Sequence, residues 1–299
     1  MKLSVLSMMA LLVGAPCVGR TQDLETAYQG LRDAQAKNDV AQVKTLAAET
    51  YKLAHAAEAE PAPQAADAKD EWTKRIAYAK SAEDFADYAL YAVALKSPPA
   101  TAVDLFAMIE AQSPKSKYLD EGYGNYLYDL SQAGATAKIP AIAEKALANF
   151  PDNPFLLRAL TASGGARAKT YADRLVAAAE KRPKPEGMSD ADWQKNKADW
   201  LALGYWTSGV VSGENSQYSA ADKTLRAALP YIQGDNSRLA AAYFYLGVAD
   251  YNLGKMTMNK AKMLEGAKYS DLCAAIPGRY QDQAYKNSLN IKTEAAKMR

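Results

Sequence analysis

The chain has 299 residues, with 36 Lys and Arg against 34 Asp and Glu and a formal net charge of +2. This balance points away from nucleic acid and from strongly acidic partners, because neither a basic patch nor a charge excess is present. One histidine and two cysteines give no metal-ligand spacing, and a chain of this size can bury a large apolar core without disulfides.

The N-terminus opens with Met1-Lys2 and an apolar run from Leu3 to Val13, interrupted only by Ser4 and Ser7. Gly14, Ala15 and Pro16 break the run, and the small residues Cys17 and Gly19 follow. This order predicts a secretory signal peptide over 1–19, with the mature chain starting between Val18 and Thr21. The run falls short of the roughly 20 apolar residues of a spanning helix, so no membrane span is expected. Pro16 departs from the small residue that precedes a lipidated cysteine, so no lipid anchor is expected at Cys17. The destination is then the periplasm or the exterior. Loss of residues 1–19 leaves Cys273 as the one cysteine, and no internal disulfide can form.

Beyond that point apolar residues recur at three- and four-residue spacing, alanine is abundant and no strand pattern appears, which predicts an all-helical chain. Helices are expected over 24–37 and 40–57, joined at Asn38-Asp39. A proline-bearing linker, Glu58 to Pro63, separates them from helices over 65–80 and 81–95, the second capped by Ser81 with Asp84 three residues on. Lys96-Ser-Pro-Pro99 turns the chain into 100–112. Further helices are expected over 117–132, 139–149, 154–162 and 168–181, with turns at Ala133-Gly134 and Ser163-Gly-Gly165. After a charged loop over 181–187, Ser189 and Asp192 cap a helix to about Val211, followed by 218–232, closed by Gly234. The last helices run from about Ser237 to Gly254, 258–275 and, beyond Pro277-Gly278, 281–298.

One stretch carries a family pattern. In Tyr243-Phe-Tyr-Leu246-Gly247-Val-Ala-Asp-Tyr251-Asn-Leu-Gly254, an aromatic is followed three residues later by Leu-Gly, then a Tyr and a second Gly. Trp200-Leu-Ala-Leu203-Gly204 is another copy, and Pro114, Pro151 and Pro183 follow second helices at spacings of 37 and 32. The chain resembles the tetratricopeptide-repeat family, whose helix pairs recur about every 34 residues. The resemblance covers residues 24 to 298, is strongest in the last third, and extends to exported bacterial members of unassigned role. It implies a right-handed superhelical stack of antiparallel helix pairs, an α-solenoid. Its divisions are an N-terminal helix pair over 20–60, a linker over 61–68, loosely matched pairs over 69–183, and C-terminal repeats with a capping helix over 184–299. In this register Gly247 admits a neighbouring helix and Gly254 ends its own helix.

Catalytic patterns are missing. His55 has no partner with which to form a metal or catalytic pair, and Cys273 sits on a core-facing run without a neighbouring base. The acidic pairs Asp190/Asp192 and Glu83/Asp84 are expected in first helical turns, where they offset the helix dipole. No phosphate loop and no nucleophile elbow occur. The expected protein is therefore not an enzyme and uses no cofactor or metal. It binds a protein or peptide through a concave helical surface. A structural part in an envelope assembly is the alternative. A third reading, glycan binding or cleavage, rests on Trp193, Trp200 and Trp206 as sugar-stacking residues.

Tyrosine is the remaining signal, nineteen against five phenylalanines. The family's register sends Tyr91, Tyr128, Tyr205 and Tyr251 toward the concave groove as candidate peptide contacts. The same spacing suits packing between repeats, and both readings stand at this stage. The Asn and Lys residues with which some family members clamp a C-terminal carboxylate are not expected at these positions.

Overall fold

The computed structural model describes residues 17–185 and 187–298, with side chains from Asp23 onward. The predicted signal peptide lies outside the described residues except for the backbone of its last three, and the side chain of Cys17 is outside them too. Among the described residues there are thirteen α-helices and no strand, so the chain is all-α. It divides into two compact units, one ending at Thr136 and the other beginning at Ala137.

The first unit contains α1 (Cys17–Ala36), α2 (Val40–Glu58), α3 (Ala66–Ala94), α4 (Pro99–Gln112) and α5 (Lys117–Gln132). Its hub is α3, which packs against α1, α2, α4 and α5. Two helices were expected where α3 runs unbroken. Ser81 is an exposed mid-helix residue rather than a cap, and Glu83 and Asp84 lie in the helix interior instead of a first turn. The reason is the buried stripe: Ala79, Ala82, Ala86, Leu90 and Val93 continue at three- and four-residue spacing straight through the expected break. No Gly or Pro interrupts them, and a serine alone does not stop a helix already anchored on both sides.

The second unit contains α6 (Ile139–Ala146), α7 (Pro154–Ser163), α8 (Ala168–Lys181), α9 (Asp190–Glu214), α10 (Tyr218–Ala228), α11 (Asn236–Met256), α12 (Lys260–Ala274) and α13 (Gln281–Ala296). Each helix packs on the next, and α7 on α9, α9 on α11 and α11 on α13 also touch. Ser189 caps α9 as expected, its hydroxyl accepting from the Asp192 amide at 3.1 Å.

Four turns share one geometry. Asn38, Gly134, Ser216 and Met258 have left-handed φ values of 53°, 74°, 58° and 52°. In each turn the next residue's amide donates to a carbonyl five residues back: Asp39 to Ala34 at 3.0 Å, Ala135 to Leu130 at 2.8 Å, Gln217 to Ser212 at 2.8 Å and Asn259 to Gly254 at 2.7 Å. These are helix C-caps of the left-handed type, filled by glycine in only one of the four cases. Asp39 and Asn259 then cap the following helix through Gln42 and Lys262. That economy of three-residue turns holds α1 to α2, α9 to α10 and α11 to α12.

Gly254 therefore does not end its helix. It stays helical inside α11, two residues short of Met256, and the left-handed position falls to Met258. Its role is close approach: a Cβ there would lie 2.6 Å from the Met263 backbone nitrogen and 2.9 Å from the Asn259 carbonyl. Gly247 sits on the same face, two turns earlier, and a Cβ on it would lie 2.5 Å from Ser270 Oγ and 3.1 Å from the Gly266 carbonyl. Together with Gly266 on α12, the pair brings the α11 and α12 backbones into contact.

Candidate functional site

The second unit carries a cleft of about 450 Å³ between α11 and α13. Val248, Tyr251 and Asn252 on α11 face Asn287, Asn290, Ile291, Glu294 and Lys297 at and just beyond α13. The spacings 248, 251, 252 and 287, 290, 291, 294 are each one face of a helix, so two helical stripes oppose one another. Ile291 is buried and joins Met263, Ala267 and Ala295 as a small apolar cluster, against which Tyr251 packs. This cluster fixes α13 on α11 and α12 and forms the cleft's apolar floor.

The rim is polar and partly committed. The Tyr251 hydroxyl donates to Glu294 at 2.8 Å, and Lys255 donates to both groups at 3.0 and 3.2 Å. Hydrogen bonds from Tyr251 and Lys255 hold the Glu294 carboxyl below its ordinary range. Asn252 spends its amide N–H on the Val248 carbonyl at 2.8 Å, leaving its oxygen free, whereas Asn287 spends its oxygen on Gln283 at 2.9 Å and keeps its N–H groups. Asn290 is exposed and makes no side-chain hydrogen bond among the described residues. An amide offers one acceptor and two donors, the complement of a peptide group. The cleft thus presents unspent amide donors and acceptors over an apolar floor.

The four predicted tyrosines fare differently. Tyr91 is half-buried, edge-on to Phe106 at 6.3 Å and tilted on Tyr118 at 5.6 Å. Burial pushes its hydroxyl pKa up, with the Glu121 charge adding to the effect. Tyr128 is 62% exposed. Tyr205 stacks on Tyr231 and donates to Glu180 at 2.7 Å, and burial, then that hydrogen bond, push it up to about 12. Tyr251 alone lines the cleft. Tyr91 and Tyr128 belong to the first unit and Tyr205 and Tyr251 to the second.

Sequence reasoning missed Asn252, Asn287 and Asn290, and assigned α13 only a capping role. A signal existed: asparagine is a poor helix former, and three of them at helical spacing on facing stripes are unusual unless their amides are used. The three tryptophans of the glycan reading are placed as follows. Trp193 and Trp200 are buried against each other at 5.6 Å, Phe155 meets Trp200 at 5.2 Å, and Trp206 donates its indole N–H to the Arg238 carbonyl. His55 is exposed and stacked on Tyr51, and Cys273 is buried, donating to the Ala240 carbonyl, with burial pushing its thiol up to about 11.

A second cluster in this unit is charged and self-contained. Asp250 on α11 is fully buried and is met by Arg226 at 2.7 Å and Lys262 at 2.8 Å. Arg226 also reaches Asp222, Glu265 and Tyr269 at 2.6, 2.9 and 3.0 Å. Burial, then the Asp222 contact, push Asp250 up to about 6. Burial also works to raise Asp222, but hydrogen bonds with Asp250 and Arg226 carry it below its ordinary range. These groups tie α10, α11 and α12 together. Among the described residues no group of three or more His, Cys, Asp or Glu could hold a metal ion, and no helix is long and apolar enough to cross a membrane. No family model, curated protein or solved structure matches the chain.

Proposed function

We propose that this chain is an exported, tetratricopeptide-repeat-like protein that binds a peptide segment of another protein and performs no chemistry. The observation that carries the reading is the α11–α13 cleft, with free amide groups at Asn252, Asn287 and Asn290 over a floor of Val248, Tyr251 and Ile291. Extended backbone has the donors and acceptors to fill those amides, and Tyr251 gives a rigid ring with little entropy to lose. Contacts of α7 with α9, α9 with α11 and α11 with α13 agree with helix pairs stacked as a superhelical solenoid. Export rests on the charged, apolar and small-residue order of residues 1–19. Cleavage between Val18 and Thr21 would spare Leu24, the first buried side chain described.

Crosslinking pull-down from the native envelope, with the mature chain as bait, tests the reading. Asn290→Ala and Asn287→Ala remove cleft groups without touching the core, so partner recovery should drop while the melting temperature holds. Recovery equal to that of the parent chain in both variants would remove the cleft as the binding surface. Intact mass of the native protein tests export: a retained Met1 or a diacylglyceryl mass on Cys17 would overturn it.

A further inference from the structure

The turn from α11 to α12 carries two methionines into solvent. Met256 and Met258 are 75% and 78% exposed, more than any other large apolar side chain among the described residues. Residues 255–261 are all exposed, so the turn protrudes as a tip. Its backbone is held firmly. The Thr257 hydroxyl donates to the Leu253 carbonyl at 2.7 Å, and the Asn259 amide donates to the Gly254 carbonyl at 2.7 Å. The Asn259 side chain in turn accepts from the Lys262 amide at 3.0 Å. A fixed tip thus presents two flexible thioether chains. Nothing in the fold asks for methionine there. The sibling turns place Asn38, Gly134 and Ser216 at the left-handed position that Met258 fills with φ 52°. That conformation disfavours a long apolar residue, and Met258 buries little of its side chain in return. An apolar residue both strained and exposed points to a use outside the chain.

Lysines surround the tip. Lys255 and Lys260 flank the methionines within the turn, and both are exposed. The Lys260 ammonium donates to the Met298 carbonyl at 3.0 Å, which brings the end of α13 and the exposed Lys297 beside the turn. Glu294 answers Lys255 at 3.2 Å. Lys260 and Lys297 have no carboxylate partner among the described residues. The rim is therefore locally positive although the chain as a whole is nearly balanced. Its lysines come from the ends of separate helices, so no basic run marks it in the sequence.

We propose that this tip docks on an anionic lipid surface, with Met256 and Met258 entering the boundary between headgroups and acyl chains while Lys255, Lys260 and Lys297 meet lipid phosphates. A protruding tip suits a bilayer, which yields around an inserted side chain, better than a folded protein, which must offer a matching pocket. Unbranched, flexible methionine adapts to the irregular packing of acyl chains. The contact is interfacial, since no described helix is long and apolar enough to cross a membrane. Two apolar side chains and three cations make it reversible and sensitive to salt. The docking does not rest on the peptide reading, but it would hold the α11–α13 cleft, which Lys297 also lines, beside the lipid.

Vesicle flotation tests the proposal with the chain from Thr21 onward, which keeps every buried side chain described and leaves out the apolar leader. Binding should rise with the phosphatidylglycerol content of phosphatidylcholine vesicles and fall between low and physiological salt. The double variant Met256→Ser/Met258→Ser should bind about tenfold more weakly at an unchanged melting temperature, because both side chains are exposed. Met256→Leu/Met258→Leu should bind as the parent does. Lys260→Gln/Lys297→Gln should weaken binding several-fold and flatten its salt dependence. Tyr285→Ser, at an exposed ring elsewhere on α13, should have no effect. Equal binding to vesicles with and without phosphatidylglycerol, parental binding by the serine pair, or an equal loss in Tyr285→Ser would each overturn the proposal. So would a parent chain that ignores vesicles but forms a dimer lost in the serine pair, which would assign the tip to a second copy.

Discussion

Helices in the second unit meet backbone to backbone, while those of the first meet largely through rings. On α9, α11 and α12, Cβ atoms added to Gly209, Gly247, Gly254 and Gly266 would come within 2.5 to 2.8 Å of the neighbouring helix. In the first unit Gly122 is the glycine that meets such an obstacle among the described residues, 2.6 Å from Phe106. There the gaps are filled by Phe106 on Tyr126 at 5.2 Å, Tyr123 on Tyr126 at 6.2 Å and Tyr91 on Tyr118 at 5.6 Å, with Tyr123 donating to Glu110 at 2.9 Å. Buried acids differ in the same way. Asp250 is answered by two cations, whereas Glu58 keeps a buried oxygen without a hydrogen-bond partner. The comparison shows that one architecture, amphipathic helices packed in sequence, can be specified by what is removed at a crossing or by what is inserted there. The two solutions respond differently to mutation and to pH.

The largest effect should come from the charged tie in the second unit. Asp250→Ala leaves Arg226 and Lys262 facing a buried void, and breaking such a pair costs about 3 kcal/mol. The urea midpoint followed through Trp193 and Trp200, both in that unit, should fall accordingly. A midpoint displaced by less than a third of that amount would mean that water replaces the carboxylate cheaply. Gly247→Leu comes next. Its side chain would have to displace Ser270 and the Gly266 backbone, an overpacking cost of about 2 kcal/mol. The Trp72 indole signal, in the first unit, should move less than the tryptophans of the second in both variants. Equal displacement would erase the comparison.

The pH response should separate the units further. Glu83 and Asp87 both have raised folded-state pKa values, each chiefly through burial. A carboxyl raised on folding binds its proton more tightly in the native state, so the unfolded state holds fewer protons in the window between the two pKa values and stability falls as pH rises through it. For Glu83 that window runs from its unfolded value of 4.5 to about 7. In the second unit Asp250 is raised to about 6, so its loss is nearly complete by that pH, and Asp222, lowered, acts only below its ordinary value of 3.8. Between pH 5 and 8 the first unit should therefore lose more stability than the second. Chemical denaturation at both pH values, read unit by unit through the indole signals, checks the order. A second unit that proves more pH-sensitive would refute it.

What was legible in the sequence follows the same division. Glycines at 247 and 254 and the Leu-Gly pairs carry information because a missing side chain in a helix needs a reason, and helix limits beside Pro99, Pro154 and Gly134 were readable for the same cause. The break expected at Ser81 was false because a buried alanine stripe is silent about where a helix ends. The turn at Asn38-Asp39 was readable because asparagine tolerates the left-handed conformation, whereas Ser216 and Met258 were hidden, their strain being compensated by hydrogen bonds between residues five apart. The cleft was half legible. Tyr251 could be placed by pattern, but Asn287 and Asn290 acquire meaning only when α13 lies against α11.

The smallest effect on stability should be at Tyr128, and it asks which unit carries the binding surface. Its ring is 62% exposed on α5 and has no hydrogen bond or ring contact among the described residues. Tyr128→Ala should therefore change stability by about 0.5 kcal/mol or less. Tyr91→Ala, on α3, removes a ring wedged against Phe106, Tyr118 and the face of Gly122, and should cost several times more. Partner recovery then sharpens the comparison. An exposed tyrosine kept for contact should lower recovery when truncated, at unchanged melting temperature, because a ring with two torsions loses little entropy on binding. If Tyr128→Ala binds as the parent does while Asn290→Ala does not, the peptide surface is confined to the second unit. If both variants lose the partner, each unit contributes a contact, and the ring-packed unit presents on its surface the same residue type that fills its interior.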